Sequence, residues 1–230
     1  MLSRVWRWLK TTTPQHAADV KTSLRAAARE FFKAWSPRIV ASAAVGAVGA
    51  RVAVGGWSWG DLAVAGGILA FWPLQEWLIH VFLLHFKPRK VLGVTIDPLV
   101  AREHRRHHED PWKIDSAFVP LPAVFFTLPA VGGLWWAVMP TRELALTGMA
   151  TFATMGLVYE WTHYLIHSRY RPRSAWYKRL WTNHRLHHCK NEHYWYGVTM
   201  IAGDRLLGTA PDEKAVPRSE TCRTIIEAVA

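Results

Sequence analysis

Ten of the twelve histidines fall into four clusters: His80-Val-Phe-Leu-Leu-His85, His104-Arg-Arg-His107-His108, His163-Tyr-Leu-Ile-His167 and His184-Arg-Leu-His187-His188. Residues three and four apart share a helix face, so His163 and His167 can reach one metal ion, and each His-x-x-His-His string offers three imidazoles to one concave site. His80 and His85, five apart, diverge on a regular helix. They either serve different metals or sit on a locally wound helix end. Ten ligands are too many for one ion and suit two. Imidazole binds iron, zinc, copper and nickel, so the ligand set alone does not choose the metal. A lipid-facing site with this many neutral ligands would have little use for zinc hydrolysis on an unactivated carbon, and that favours iron. The carboxylate-rich alternative of Glu-x-x-His pairs is matched only once, at Glu160-Trp-Thr-His163, and is set aside.

The elements that position these residues follow from the apolar blocks. Four stretches, about 38–57, 62–86, 117–139 and 143–167, approach or exceed the roughly 20 apolar residues of a bilayer-crossing helix. Eight Lys and Arg precede the first stretch, seven lie in 87–116 and eleven in 168–230, leaving only Arg51 and Arg142 near the opposite turns. The positive-inside rule then puts the N-terminus, the 87–116 segment and the tail on the cytoplasmic side, which four spans satisfy and three do not. All ten clustered histidines fall on that same side, although the charge count made no use of them. The fold class expected is all-α: a polytopic membrane protein of about four transmembrane helices with a cytosolic helical cap holding a di-metal site.

Residues 1–37 form a basic amphipathic segment, residues 38–210 the membrane domain and 211–230 a tail. In the first, Val20, Leu24, Ala27, Phe31 and Trp35 recur at helical spacing among basic residues, as in a helix lying on an anionic membrane surface or packed on the protein itself. No cleaved signal is read at the N-terminus. The net charge of +11 sits beside the spans, with tryptophans near span ends, and this excludes nucleic acid as the partner. Cys189 and Cys222 give no disulfide framework.

Glu76, one turn before His80, and Glu160, three residues before His163, are the candidates to fix ligand tautomers, with Asn183 and His193 as further polar groups near the site. Asp97, Asp110, Asp115 and Asn191 lie in the same region. Trp72, Trp77, Trp135, Trp136, Trp161, Trp181 and Trp195 either line a lipid tunnel or anchor the interface.

The four histidine strings in this order, among paired spans, resemble those of the fatty acid hydroxylase and sterol desaturase superfamily. The similarity extends to Glu76-Trp-Leu-Ile-His80, His108-Glu-Asp-Pro-Trp-Lys-Ile-Asp115, Tyr196-Gly-Val-Thr199 and Asp204-Arg-Leu-Leu-Gly-Thr209, over about residues 62–210. The resemblance implies that the ten histidines are the ligands of two iron ions, with zinc able to replace them in a purified sample. It implies O2-dependent hydroxylation of a membrane lipid, fatty acyl or sterol-like, by C–H abstraction and hydroxyl rebound. Lipid or sterol desaturation and carotenoid ring hydroxylation on the same site are the alternatives within the superfamily; a metal- or lipid-binding membrane protein without catalysis is the alternative outside it. No haem-binding segment is present, so electrons are expected from a separate partner, cytochrome b5-like or a ferredoxin with its reductase. The location implied is an integral membrane protein, of the inner membrane if bacterial, with its site facing the cytoplasm.

Overall fold

The structure, a computed structural model, describes residues 23–225. Val20 and the rest of the N-terminal segment before Ser23 lie outside the described residues. Helix α1 (Leu24–Phe31) starts at Ser23, whose side chain accepts the Ala26 N–H. It turns Ala27 and Phe31 onto the protein: the Phe31 ring packs edge-on against Trp161 and beside Phe118 and Tyr164. Burying a phenylalanine this fully contributes roughly 1.5–3 kcal/mol, so the protein itself takes this part of the apolar face.

Helix α2 (Trp35–Val54) leads through a glycine turn into α3 (Trp59–Leu78), which continues without a break as a π-helical turn, Ile79–Leu84. A short antiparallel hairpin follows, β1 (Arg89–Val91) paired with β2 (Val94–Ile96). It is a small exception to the all-helical expectation. Then come α4 (Leu99–Glu109), a 3-10 turn at Ile114–Ala117, α5 (Leu121–Val138), α6 (Arg142–His167), α7 (Ala175–Cys189) and the short α8 (Ala202–Leu206). Beyond α8, Val216, Cys222 and Ile225 are buried.

Among the described residues, three helical stretches are long and apolar enough to cross a membrane: Trp35–Val54, Trp59–Leu84 and Ile114–Val138. The protein is an integral membrane protein. The fourth expected stretch, α6, has the length at 26 residues but is not among them. Its surroundings explain this, because α6 packs against α2, α3 and α5. Its buried Ala145, Gly148, Ala150 and Ala153 permit close helix approach. Side chains that meet protein rather than lipid need not be strongly apolar.

The bundle is pinned at the end away from the histidines. There Arg51 of α2 donates to Asp61 of α3 at 2.9 and 2.7 Å and to Thr147 of α6 at 2.8 Å, and Thr147 donates to Asp61 at 2.5 Å. Arg51 and Asp61 are 2% and 5% exposed, so this is a buried ion pair tying three helices together. Breaking such a pair by removing one partner costs about 3–5 kcal/mol, whereas replacing both with apolar groups is often neutral. Arg51→Met is therefore expected to lower unfolding stability in detergent by about 3–5 kcal/mol, and adding Asp61→Leu to restore most of it. Equal loss in the single and double variants would mean that packing, not charge pairing, holds this end.

Candidate metal centre

All ten clustered histidines meet at the opposite end of the bundle, in two adjoining groups. The first comprises His80, His85, His104, His108 and His187, the second His107, His163, His167, His184 and His188; within each, the ring nitrogens on offer lie within 4.8 Å of one another. The groups touch where the His108 and His188 rings stand 4.0 Å apart, centroid to centroid.

Three local features build this arrangement. The first is the π-helical turn, in which the His85 N–H bonds to the His80 carbonyl at 3.0 Å. An i to i+5 bond brings residues five apart onto one face, so His80 and His85 join the same group. The second is i, i+4 pairing: His104 with His108 (Nε2 to Nε2 3.2 Å), His184 with His188 (3.0 Å), and His163 with His167. The third corrects the expectation that each His-x-x-His-His serves a single site. One residue further round its helix, His107 leaves α4's group and meets His167, Nε2 to Nε2 3.2 Å, while His187 leaves α7's group and meets His85 at 3.2 Å.

The outward nitrogens settle the tautomers. His80 Nδ1 donates to the Tyr196 carbonyl (2.7 Å), His108 Nδ1 to Cys222 (2.9 Å), His163 Nδ1 to Ala117 (2.8 Å) and His187 Nδ1 to Tyr194 (2.8 Å). A carbonyl only accepts, so in these four rings the proton is on Nδ1 and the Nε2 lone pair points into the group. His163 Nε2 is fully buried with no hydrogen-bond partner. Converging, unprotonated and unpartnered nitrogens fit divalent transition-metal ions, and a second bond to a backbone carbonyl is the usual support of a ligating imidazole. Burial, reinforced by the neighbouring imidazoles, holds His104, His107, His184, His187 and His188 well below the ordinary histidine range, and it pushes His108 down to about 3. They stand neutral, as ligands must.

Glu76 and Glu160 act one step further out than expected. Neither bonds a histidine. Glu76 Oε1 accepts the Val198 and Thr199 N–H groups at 2.5 and 2.8 Å, fixing the loop whose Tyr196 carbonyl holds His80. Glu160 Oε1 accepts the Val119 N–H at 3.0 Å and the Ser36 hydroxyl, fixing the loop whose Ala117 carbonyl holds His163. Asn183 is half-buried on α7 outside both groups. His193 is exposed, its imidazole 3.5 Å from Glu192, and joins neither group. Asp97 is tied to Arg105, both oxygens at 2.6 Å, and Cys189 is buried but outside both groups.

Several contributors carried no readable role in the sequence. The carbonyls of Ala117, Tyr194, Tyr196 and Cys222 are backbone atoms, to which residue type gives no clue. Asp204 had a signal in its motif: it accepts the Tyr196 N–H at 2.9 Å, the Gly197 N–H at 2.7 Å and the Thr209 hydroxyl at 2.6 Å. It can do so because Gly203 lets α8 lie against α3, where an added Cβ would meet the Pro73 carbonyl oxygen at 2.3 Å.

A cavity of about 370 Å³ opens onto the histidines. Its walls are largely apolar, from Val40 of α2, Trp72 and Ile79 of α3 and its π-turn, Val124 and Leu128 of α5, and Phe152 and Gly156 of α6; His104, His107 and His163 close it. His104 belongs to the first group and the other two to the second, so the cavity faces both. Of the seven tryptophans considered for a tunnel, Trp72 lines this cavity.

The fatty acid hydroxylase family matches residues 65–209. The chain belongs to this family. The match contains all ten histidines, Glu76, Glu160 and Asp204. Among curated relatives, a dihydroceramide fatty acyl 2-hydroxylase of Arabidopsis thaliana is 29% identical over 68% of this chain and 64% of its own length. A fatty acid 2-hydroxylase of Homo sapiens is 29% identical over 62% and 38%, and a beta-carotene hydroxylase of Paracoccus is 34% identical over 50% and 66%. The chain thus spans less than two thirds of the length of the first two. The hydroxylase domain of scs7p shares its fold, with a TM-score of 0.65 and 22% identity over 80% of this chain and 68% of that one.

Two outcomes follow from the family's histidine centre as built here. The unfolded chain, titrating near 6.5, binds more protons than the folded one below that pH, so the stability held by buried neutral histidines is complete above about 6.5 and is lost as pH falls, for His108 down to about 3. Chemical denaturation of metal-stripped protein is expected to show that acid-side loss, and a flat profile between pH 7 and 5 would contradict it. Glu76→Ala leaves two buried N–H groups unsatisfied, at about 1–3 kcal/mol each, and is expected to lower metal content measured by mass spectrometry without removing a ligand.

Proposed function

We propose that the protein is an O2-dependent di-iron hydroxylase of a membrane lipid, drawing electrons from an external donor, cytochrome b5-like or a ferredoxin with its reductase. The observation that carries this reading is the apolar cavity of about 370 Å³ ending at His104, His107 and His163, where both histidine groups meet it. An acyl chain or similar hydrocarbon in it would lie between helices that face lipid, with one carbon against both groups. The ten histidines would hold two ions, five to each. Bound there, iron supplies the O2 activation that replaces a C–H hydrogen by hydroxyl, with the second oxygen atom leaving as water.

The chain's own contribution is positional. The cavity walls orient the substrate and exclude water, and the carbonyl-fixed tautomers of His80, His108, His163 and His187 keep those four inward nitrogens unprotonated before an ion arrives. The basic segments all fall at the histidine end of the spans, with only Arg51 and Arg142 near the opposite turns, and this favours a cytoplasmic placement of the site. Relatives named as fatty acyl 2-hydroxylases and as a carotene hydroxylase support hydroxylation of a hydrophobic substrate over desaturation.

Mass spectrometry of total lipids from cells with and without the protein tests the reading. A species heavier by one oxygen is the expected result; loss of two hydrogens identifies a desaturase instead, and metal content without product or O2 uptake identifies a binding protein. His107→Ala and His187→Ala should each reduce product by more than the roughly 10- to 100-fold typical of outer-sphere partners. Product unchanged in either would overturn the ligand assignment.

A further inference from the structure

The hairpin between the π-helical turn and α4 is built as though a surface were missing from beneath it. All ten residues from 87 to 96 are exposed, yet a lone two-stranded hairpin is at best marginally stable in water. The register pairs Val91 with Val94 and Arg89 with Ile96, so these four share one face. Val91, Val94 and Ile96 are 46%, 66% and 43% exposed, and Leu92 at the tip is 99% exposed. Leu92 also has φ +49°, followed by Gly93 at +83°. Two successive positive φ values make the tight turn in which Asn-Gly is preferred. A leucine there combines an unfavourable backbone conformation with a side chain wholly in water.

Charge and reach point to one occupant. Lys87, Arg89 and Lys90 flank the apolar tip, and basic residues close to a membrane are drawn to anionic lipid. Only residues 85–88 separate the membrane-crossing stretch Trp59–Leu84 from β1. Four residues reach at most about 14 Å, which places the hairpin within the depth of the lipid headgroups.

We propose that this hairpin is a membrane-surface anchor. Leu92, Val91 and Val94 enter the boundary between headgroups and acyl chains of an anionic leaflet, and Arg89 and Lys90 engage lipid phosphates. Leu83 and Leu84 just before the hairpin and Val100 just after it line the cavity described above. Anchoring the hairpin therefore fixes that side of the cavity wall against the leaflet from which a lipid would enter. The inference rests on the membrane-crossing helices and is independent of the reaction proposed for the site.

Leu92→Cys carrying an environment-sensitive fluorophore tests it, in full-length protein in nanodiscs holding one copy each. Cys189 and Cys222 are buried, so the label goes to the tip. The expected result is blue-shifted emission, quenching by lipids bearing a nitroxide near the headgroup, and protection from aqueous iodide, all stronger with phosphatidylglycerol than with phosphatidylcholine alone. Iodide quenching without nitroxide quenching overturns the proposal. So does protection that appears only with two or more copies per disc, which would assign the patch to a second copy of the chain. Leu92→Gly relieves the backbone and should raise the thermal midpoint while lessening nitroxide quenching of a label at Val94→Cys; undiminished quenching would overturn the role of Leu92.

Discussion

Lone pairs of imidazole nitrogens brought face to face repel one another, and this centre gathers ten such rings in a buried space. The cost is set by the outward side of each ring. Carbonyls of Ala117, Tyr194, Tyr196 and Cys222 accept hydrogen bonds from the Nδ1–H groups of His163, His187, His80 and His108, leaving their Nε2 atoms unprotonated. Cations lying between such inward, neutral nitrogens would offset that repulsion and stabilise the fold there. Much of the surrounding chain serves that arrangement. Glu76, Glu160 and Asp204 bind loops whose carbonyls set the rings, so three buried carboxylates act on the centre through backbone atoms and not through ligands.

The two halves of the chain are built alike yet do not make separate sites. Each supplies five histidines, and each exchanges the middle residue of its His-x-x-His-His string, His107 or His187, with the other. The pattern follows from helix geometry: first and last residues of the string are four apart and share a face, while the middle one is turned a residue back toward the neighbour. At the far end of the bundle the Arg51, Asp61 and Thr147 cluster ties the same helices, so the two ends of α6 are both fixed by polar groups inside an apolar shell.

Much of the architecture was legible in the sequence because it depends on patterns of residue type. Apolar length marked out helices that begin and end within a few residues of the expected stretches, and histidine spacing picked out the ten residues that the fold brings together. The fourth stretch is the least plain of the four: α6 runs from the Arg51 and Asp61 cluster to the histidines, but it is packed by its neighbours, and length with moderate apolarity does not tell lipid from protein surroundings. The division of ligands between groups was not legible either. It depends on the π-helical turn, which changes the face of His85 by a single hydrogen-bond shift, and on helix rotation, which decides where His107 points. Glu76 and Glu160 drew attention by their place in the sequence, but their targets are backbone N–H groups far along the chain.

The exchange of His107 and His187 also bears on how the chain comes together. His85 and His187 are 102 residues apart, and His107 and His167 are 60 apart. An ion held by such pairs closes long loops, and the entropy removed from the unfolded chain by closing a loop rises with its length. Neither cysteine is in a disulfide, so disulfides make no such links here. Two ions would act as reversible staples across the whole membrane domain, each fastening one half of the chain to the other. Shortage of metal would then be felt as a failure of late assembly as well as a loss of chemistry, with the helices in place and the end that carries the histidines unable to close.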